Sequence, residues 1–232
     1  MAVSLLDHIV IVVPQSTTPE QLLAQVKPFT KNFTISPGGF HTSGHTQNVL
    51  ISLADGVYFE LIAFTSQPDE SHPWGQRTPT RIVDFALLGH PECGTEFYRE
   101  GRPGGRGECK WVVTLPDREW RFGKLPFWCE DVTRRDLRVP KPPDHPSGVS
   151  EVKKITIVVK SEEKKDQMRR MYGKILGDEK LVLGTPAGGE VEIELRMAET
   201  KEEQEALKRD DAGIYQVEFN VPGIVLSNSN LG

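Results

Sequence analysis

A short β-branched run near the start of the chain predicts a buried strand. It covers residues 6–13, Leu-Asp-His-Ile-Val-Ile-Val-Val, and Pro14 follows it. A helix is predicted next, because Thr18 is a suitable N-cap and Pro19 suits the first helical turn. Three further strand candidates follow, at 32–36, 47–53 and 56–64. The first part of the chain therefore has the order βαβββ.

The end of the chain repeats this pattern. Residues 152–159, Val-Lys-Lys-Ile-Thr-Ile-Val-Val, predict nearly the same strand. Ser161 then caps a predicted helix with one apolar face, which Gly177 ends. The strand candidates that follow are 180–183, 190–197 and 213–221. The last of them begins with Gly213-Ile214-Tyr215, which is similar to Gly56-Val57-Tyr58 in the first copy.

A weaker third copy lies between these two. Its predicted elements are a strand at 80–88, a short helix at 91–99 and strands at 108–115, 120–122 and 125–131. We therefore predict an α+β fold of repeated βαβββ modules that form a curved mixed sheet or open barrel around a cleft. The predicted parts are a first module at 1–66, a degenerate middle module at 76–135, a Pro-rich linker at 136–150 and a C-terminal module at 151–232. The alternative is an α+β domain whose strands share only their β-branched composition.

Composition narrows the class of partner. The 232 residues carry a formal charge of −5, with 28 basic and 33 acidic residues spread along the chain, so nucleic acid is not an expected partner. The longest apolar runs are strand-length, whereas a membrane span needs about 20 residues. The first residues lack a secretory signal pattern, so we expect a cytoplasmic protein without a membrane partner. Cys93, Cys109 and Cys129 are widely spaced and indicate neither a disulfide framework nor a thiolate zinc site.

Several polar residues in and next to a predicted loop are candidates for binding a ligand. His41 and His45 lie four residues apart, but the glycines around them favour a loop over a helix. Both are candidates for binding substrate or a metal at the mouth of a cleft, and the alternative is two solvent-exposed histidines. Asn48 offers an amide either to a polar ligand or to the loop backbone.

Aromatic residues are candidates for the wall of a pocket. Trp74 lies in a predicted loop and is the strongest candidate, and Trp128 is a second. Trp111 and Phe127 lie in predicted strands, where burial in the core explains them. We therefore expect a ligand pocket with at least one tryptophan in its wall.

Several segments together resemble the glyoxalase-like domain proteins of the vicinal-oxygen-chelate superfamily. They are residues 6–10, 38–50, 58–63, 125–128 and 145–148. The resemblance by motif covers roughly residues 5–150, and the rest of the chain joins it only through the module pattern. It implies two modules paired around a cleft and, in many members, a divalent metal that polarises an oxygen-rich substrate. Other members only bind small molecules.

The same resemblance implies metal ligands on the first and last strands of each module. His8 and Glu60 occupy these places in the first module, as metal ligands or as catalytic acid/base groups, and such a pair suits Zn, Fe, Mn or Ni. Aligning the middle module adds Asp84 and Glu130, an oxygen-rich set that favours Mg or Mn. Aligning the C-terminal copy instead places Lys154 opposite His8, and a lysine would repel a metal.

The expected function follows from this resemblance. We expect a glyoxalase-like enzyme that acts on a small oxygenated metabolite, assisted by a metal, in a reaction of isomerase, lyase or dioxygenase type. The alternative is a non-catalytic protein of the same fold that binds or sequesters a small molecule, which the incomplete ligand set supports. Three copies of the module are compatible with a monomer or a homodimer.

Overall fold

The computed structural model describes residues 4–41, 43–67, 74, 80–91, 95–101, 107–121, 123–177, 180–208 and 210–231, and for 95–101 the backbone alone. These residues contain thirteen strands and four α-helices. The strands are β1 (Leu5–Val12), β2 (Ser36–Phe40), β3 (Thr46–Ser52), β4 (Tyr58–Phe64), β5 (Arg81–Leu88), β6 (Thr95–Gly101), β7 (Cys109–Leu115), β8 (Phe127–Asp131), β9 (Val152–Val159), β10 (Val182–Gly184), β11 (Glu190–Met197), β12 (Ala212–Phe219) and β13 (Val225–Ser227). The helices are α1 (Pro19–Val26), α2 (Arg135–Arg138), α3 (Glu162–Leu176) and α4 (Lys201–Ala206), and short 3-10 helices cover Lys27–Lys31 and Arg118–Trp120. Cys93 and most of the predicted loop at 67–79 lie outside the described residues.

The predicted α+β class with a mixed sheet is confirmed, and the sheet is not closed into a barrel within the described residues. Eight strands of the first two modules follow the order β2-β3-β4-β1-β5-β8-β7-β6. In the first module β1 is parallel to β4, and in the second β5 is parallel to β8. The two modules meet where β1 and β5 run antiparallel. The first strands of both modules therefore lie side by side at the centre of the sheet.

The middle module departs from the predicted order. The short helix predicted at 91–99 is wrong, because Thr95–Gly101 form β6, which pairs antiparallel with β7 along its whole length. The strand predicted at 120–122 is also wrong at its first residue, because Arg118–Trp120 form a 3-10 helix. Phe122 lies outside the described residues. Pairing with a neighbouring strand has overridden the local helical signal here.

The C-terminal copy extends the same sheet but differs from the first. β9 is parallel to β11, as β1 is to β4, whereas β12 runs antiparallel to β9 on its other side. The structural equivalent of β4 is therefore β11, and the similarity between Gly213-Ile214-Tyr215 and Gly56-Val57-Tyr58 does not mark equivalent places. A single residue pair, Leu5 with Gly184, joins this copy to β1 through β10.

Local signals explain the helices that flank the sheet. The Thr18 side chain accepts a hydrogen bond from the Gln21 backbone N–H at the start of α1. Ser161 does the same for α3, which ends at Gly177 with a φ of 69°. No helix in the described part of the chain is long and apolar enough to span a bilayer.

The two faces of β1 have different surroundings. Leu6, Ile9 and Ile11 are fully buried in the large core that also contains residues of α1 and α3. Val10 and Val12 point the other way, into a smaller apolar cluster. We call that side of the sheet the site face; its buried apolar residues are Val10, Val12, Ile62, Phe64, Val83, Ala86, Phe127 and Cys129.

Candidate functional site

A β-bulge in β1 places two polar side chains next to each other. Leu6 pairs with Leu87 and His8 pairs with Ala86, so Asp7 is an extra residue in β1. Asp7 Oδ2 consequently lies 2.7 Å from His8 Nδ1, although strict alternation would send neighbouring side chains to opposite faces. Both side chains are buried.

Asp7 is held by arginines of α2. Arg138 donates to Asp7 Oδ2 at 3.1 Å and to the Tyr58 hydroxyl at 2.6 Å, and Arg135 donates to Asp7 Oδ1. Burial acts to raise the pKa of Asp7, but Arg138 and the other partners outweigh it and hold the pKa well below its ordinary value. Asp7 is therefore a carboxylate, and His8 Nδ1 donates the hydrogen bond between them. The other ring nitrogen of His8, Nε2, then points away from Asp7.

Glu60 lies between two imidazoles on this face. Its Oε2 is 3.8 Å from His8 Nε2, and its Oε1 is 3.5 Å from His41 Nε2. Asn48 donates to Oε1 from Nδ2 at 2.6 Å, and its own Oδ1 accepts from the Gly39 N–H at 3.0 Å. This pair of contacts fixes the orientation of the amide and of the carboxylate. We call His8, Glu60 and His41 the His–Glu–His cluster.

β2 and β3 approach each other closely in the hairpin next to this cluster. A Cβ atom on Gly38 would lie 2.0 Å from Asn48 Oδ1 and 2.4 Å from the Asn48 carbonyl oxygen. Only glycine fits there without movement of the backbone. The hairpin also carries His41, whose Nδ1 lies 2.6 Å from Thr46 Oγ1, so that Nε2 faces Glu60.

Apolar and aromatic groups surround the cluster. The His8 ring stacks on Tyr58 with ring centroids 4.7 Å apart, and its edge meets Phe127 at 5.3 Å. The exposed fraction of the His8 side chain is 5%, that of Glu60 is 11% and that of His41 is 22%. His41 is thus the member of the cluster nearest to solvent.

The second module does not bring its two predicted carboxylates into the cluster. Asp84 is buried, but its Oδ2 accepts from Trp74 Nε1 at 3.2 Å and its Oδ1 from a backbone N–H at 3.0 Å. Glu130 follows Cys129 of the site face and therefore points to the opposite face. Its side chain is 47% exposed and lies 3.4 Å from His90.

Of the remaining predicted binding residues, some lie on the site face and others lie elsewhere. Asn48 contacts Glu60 directly, as described above. Trp74 packs against the site face, with its ring 6.2 Å from that of Phe127. Trp128 packs against the large core on the opposite side of the sheet, because it alternates with Phe127 along β8. His45 is exposed in the hairpin loop.

Two residues of the site were not predicted from the sequence. Asp7 and Arg138 are 0% and 6% exposed, and together they fix the orientation of His8. One signal was available, because an aspartate inside an apolar strand needs a buried partner. The identity of that partner, about 130 residues later in a Pro-rich stretch, has no local signal.

The place of His8 in the C-terminal copy is taken by a salt-bridged lysine. Lys154 Nζ lies 2.6 Å from Glu218 and 3.8 Å from Glu194. The hydrogen bond with Glu218 raises the pKa of Lys154, so the ammonium is retained between two carboxylates. This copy therefore carries its own positive charge at that place.

A divalent ion fits some of these residues and not others. Asp7, His8 and Cys129 each offer a ligand atom, and these atoms lie within 4.8 Å of one another. Both oxygens of Asp7 are already bound by arginines, however, and burial raises the pKa of the Cys129 thiol well above its ordinary value. An ion would have to displace two guanidinium groups there, so this set does not fit.

His8 Nε2 and Glu60 Oε2 do fit. Their separation of 3.8 Å is below the upper limit of about 4.2 Å for two atoms that each bind one metal at ~2.1 Å. The contact of His8 Nδ1 with Asp7 is the carboxylate–histidine arrangement that orients metal-binding imidazoles.

Comparisons with known proteins agree with this fold. The chain is similar to a hypothetical protein from Staphylococcus aureus, with 13% identity, a TM-score of 0.51 and coverage of 83% of this chain and 86% of that one. It is also similar to a mutant of 4-hydroxymandelate synthase from Streptomyces coelicolor, with 9% identity, a TM-score of 0.54 and coverage of 94% and 71%. A third similar structure is a xylose isomerase-like TIM barrel/4-hydroxyphenylpyruvate dioxygenase fusion protein, with 14% identity, a TM-score of 0.51 and coverage of 94% and 36%.

At these identities the similarity to solved structures shows the fold alone. Among curated proteins, none matches this chain significantly. The model of the glyoxalase-like domain family matches residues 6–174, which is well over half of the chain. The chain therefore belongs to the glyoxalase-like domain family.

Proposed function

We propose that the protein is a glyoxalase-like enzyme that moves a proton next to a carbonyl group of a small oxygenated metabolite, a reaction of isomerase type. The observation that carries this proposal is the position of Glu60, held between His8 and His41 on a face whose buried residues are mostly apolar. A carboxylate and imidazoles within reach of one bound molecule are the groups that general acid–base catalysis uses.

Each group of the cluster has a distinct task in this proposal. Glu60 accepts the proton from carbon through Oε2, because Asn48 already occupies Oε1. His8 supplies Nε2 to the same side of the substrate, and Asp7 keeps the ring in a single orientation through Nδ1. His41, the most exposed of the three side chains, exchanges protons with solvent.

The separation of His8 Nε2 from Glu60 Oε2 and the Asp7 contact behind His8 support a divalent metal held by this pair. Glu60 Oε2 would then be a metal ligand, and the proton transfer assigned to it above applies to the metal-free site. When bound, such an ion would polarise the substrate oxygen next to the reacting carbon.

The apolar surroundings limit the class of substrate. Phe127 and Trp74 form part of the wall beside His8, and the buried valines of β1 continue it. Excluding water in this way strengthens each electrostatic contact inside the site. A substrate with one oxygenated end and a short apolar body suits this surface.

The second candidate function is binding without turnover. It is favoured by one observation: Ala86 lies opposite His8 on the first strand of the second module, so that strand offers no ligand there. A protein with this site would hold a small oxygenated molecule against the His–Glu–His cluster without changing it.

Hydrogen–deuterium exchange separates the two functions. The purified protein is incubated in D2O with a panel of 2-oxo carboxylates and hydroxy ketones, and loss of the carbon-bound proton signal is followed by NMR. We expect exchange of at least one compound, with a rate at least about 100-fold lower for Glu60→Gln. Glu130→Gln is the matched control and should exchange as the wild type does, because Glu130 lies on the opposite face.

Two outcomes would count against the enzyme. Binding of a compound with no exchange would support the second candidate. Exchange that is equally fast in Glu60→Gln would refute the task assigned to Glu60.

A further inference from the structure

We infer that Trp111 is a specificity-determining residue of this site, because it closes the cleft against His41 and limits the size of the molecule that reaches Glu60. The inference rests on the proposed function, since it concerns the same cleft. It adds a residue of β7 to a wall that otherwise consists of Phe127, Trp74 and the valines of β1.

The contact between His41 and Trp111 joins opposite ends of the sheet of the first two modules. His41 directly follows β2, and Trp111 lies in β7, which is the sixth strand from β2 in the strand order. Neighbouring strands are about 4.8 Å apart, so β2 and β7 would be separated by roughly 29 Å in a flat sheet. The centroids of the two rings are 6.3 Å apart. The sheet is therefore curved so strongly that its two ends face each other across the site face.

The two rings are in contact and leave no slot between them. Their planes are tilted by 58°, and centroid separations of about 4.5–7 Å are those of aromatic pairs that touch. A flat molecule held between them would need parallel rings separated by about 7 Å, which is two van der Waals contacts. We call this ring pair the His41–Trp111 bridge. A molecule enters the cleft by displacing one of its rings or by passing beside it.

The bridge lies at the mouth of the cleft, next to the proposed base. His41 Nε2 is 3.5 Å from Glu60 Oε1, so the same imidazole contacts both Glu60 and Trp111. Trp111 is partly buried and packs on the apolar cluster of the site face, whereas Phe127 in the same cluster is 3% exposed. Trp111 is thus nearer to solvent than Phe127.

Trp111 forms the fixed side of the bridge. Its strand is paired on both edges, with Trp111 opposite Arg99 of β6 and opposite Asp131 of β8. The Asp131 carboxylate accepts from Arg138 Nε at 2.6 Å, which ties this part of β8 to α2. On the other side, β2 is joined to β3 by three residue pairs. Because the backbone of β7 is held in this way, the size of the indole limits the opening even when the hairpin moves.

Acylation of His41 tests the inference without requiring turnover. Dimethyl, diethyl and di-tert-butyl dicarbonate each transfer an alkoxycarbonyl group to an unprotonated imidazole nitrogen and release carbon dioxide and an alcohol. Because Nδ1 of His41 contacts Thr46 Oγ1 at 2.6 Å, the reagent has to reach Nε2, which faces Glu60. Peptide mass spectrometry of the full-length protein gives the rates at His41 and at His45. His45 is exposed in the same hairpin loop and corrects for the intrinsic reactivity of each reagent.

The ratio of the His41 rate to the His45 rate is the measured quantity. In the wild type it should fall at least about 10-fold from the smallest reagent to the largest, which is the size of discrimination that an apolar pocket achieves. In Trp111→Ala it should fall less than about 3-fold, because the indole that excludes the larger reagents is gone.

Matched variants separate a local opening from unfolding. Val113→Ala removes apolar volume from the same face of β7 and should keep the wild-type dependence on reagent size. Trp111→Phe, which keeps a ring, should behave almost as the wild type does. Trp111→Leu serves if the alanine variant does not fold. His8, with 5% of its side chain exposed, should stay unmodified in every folded variant.

Deuterium exchange then relates the bridge to the substrate. Exchange rates are compared for unbranched 2-oxo carboxylates of increasing chain length. Trp111→Ala should raise the rate for the longest compound, relative to the shortest, by at least about 10-fold.

Several results would overturn the inference. They are a wild-type rate ratio that does not depend on reagent size, the same dependence in Trp111→Ala as in the wild type, or an unchanged chain-length preference in the exchange assay. In each case, Glu60-dependent exchange would still stand as evidence for the proposed function. If no compound exchanges but Trp111→Ala removes the dependence on reagent size, the enzyme is refuted and the role of Trp111 at the mouth of the cleft is supported.

Discussion

Replacing Arg138 by leucine should destabilise the protein strongly, because it removes the principal counter-charge of a buried carboxylate. Arg138 is 6% exposed and Asp7 is 0% exposed, so solvent does not screen their interaction appreciably. The guanidinium also donates to the Tyr58 hydroxyl and to Asp131, both at 2.6 Å. Leucine fills part of the volume but leaves these three acceptors without that donor.

The expected size follows from the cost of leaving a buried charge without its partner. Removing one member of a buried ion pair costs about 3–5 kcal/mol. Arg135 keeps its contact with Asp7, which favours the lower part of that range. For a chain of this length, 1 kcal/mol corresponds to about 2–4 °C in melting temperature, so the variant should melt roughly 6–20 °C lower.

Urea unfolding followed by circular dichroism measures this loss. Arg134→Leu is the matched control, because the Arg134 side chain is 82% exposed and pairs only locally with Asp136; it should change the free energy of unfolding by less than about 1 kcal/mol. Adding Asp7→Asn to Arg138→Leu should cost less than the sum of the two single changes, since the unpaired charge is then gone. Equal unfolding midpoints for Arg138→Leu and Arg134→Leu would refute this account of the network.

Two further predictions concern other parts of the fold. His145 accepts from the Thr34 N–H at Nδ1 and contacts a β3 carbonyl through Nε2, an arrangement that requires a neutral ring, and burial lowers its pKa below 6.5. Because the pKa of His145 is lower in the folded protein than in the unfolded chain, this contribution to stability is complete above about pH 6.5 and decreases as the pH falls toward the pKa of the folded protein. Urea unfolding midpoints measured between pH 8 and 5 should show this decrease. The variant His145→Gln should lack it. Gly38→Ala should cost about 1–3 kcal/mol by forcing Cβ into Asn48, whereas Gly213→Ala, with nothing within 4 Å of its Cβ, should be nearly neutral; similar midpoints for the two would contradict the close approach.

Elements with local signals could be predicted from the sequence. β1, α1 and α3 follow from apolar periodicity together with the caps at Thr18 and Ser161, all of which lie within a few residues of what they specify. The wrong helix at 91–99 was also a local inference, and there pairing with β7 decides the outcome. Sequence patterns therefore predict an element well when its stability comes from its own residues.

For the same reason, only part of the candidate site could be predicted from the sequence. His8 and Glu60 could be named through the family resemblance, and β1 and β4 do place them 3.8 Å apart. The bulge at Asp7 depends on the register between β1 and β5, which no residue of β1 alone specifies. Glu130 was placed near the site by alignment, but a shift of one position along a strand moves a side chain to the other face.

The buried ion pairs of α2 also determine which parts of the site can adjust to a ligand. Arg138 follows β8 of the second module in the chain, yet it binds Asp7 in β1 of the first. Sliding one module along the other would separate these charges in a dry interior, so the wall formed by β1, β5 and β8 is stiff. β3 is paired with β4 along its whole length, but β2 is joined to β3 by only three residue pairs and the tip at residues 43–45 is exposed, so β2 and the tip can shift at lower cost. Closure around a small molecule should therefore come from the hairpin that carries His41, while the rest of the site keeps its shape.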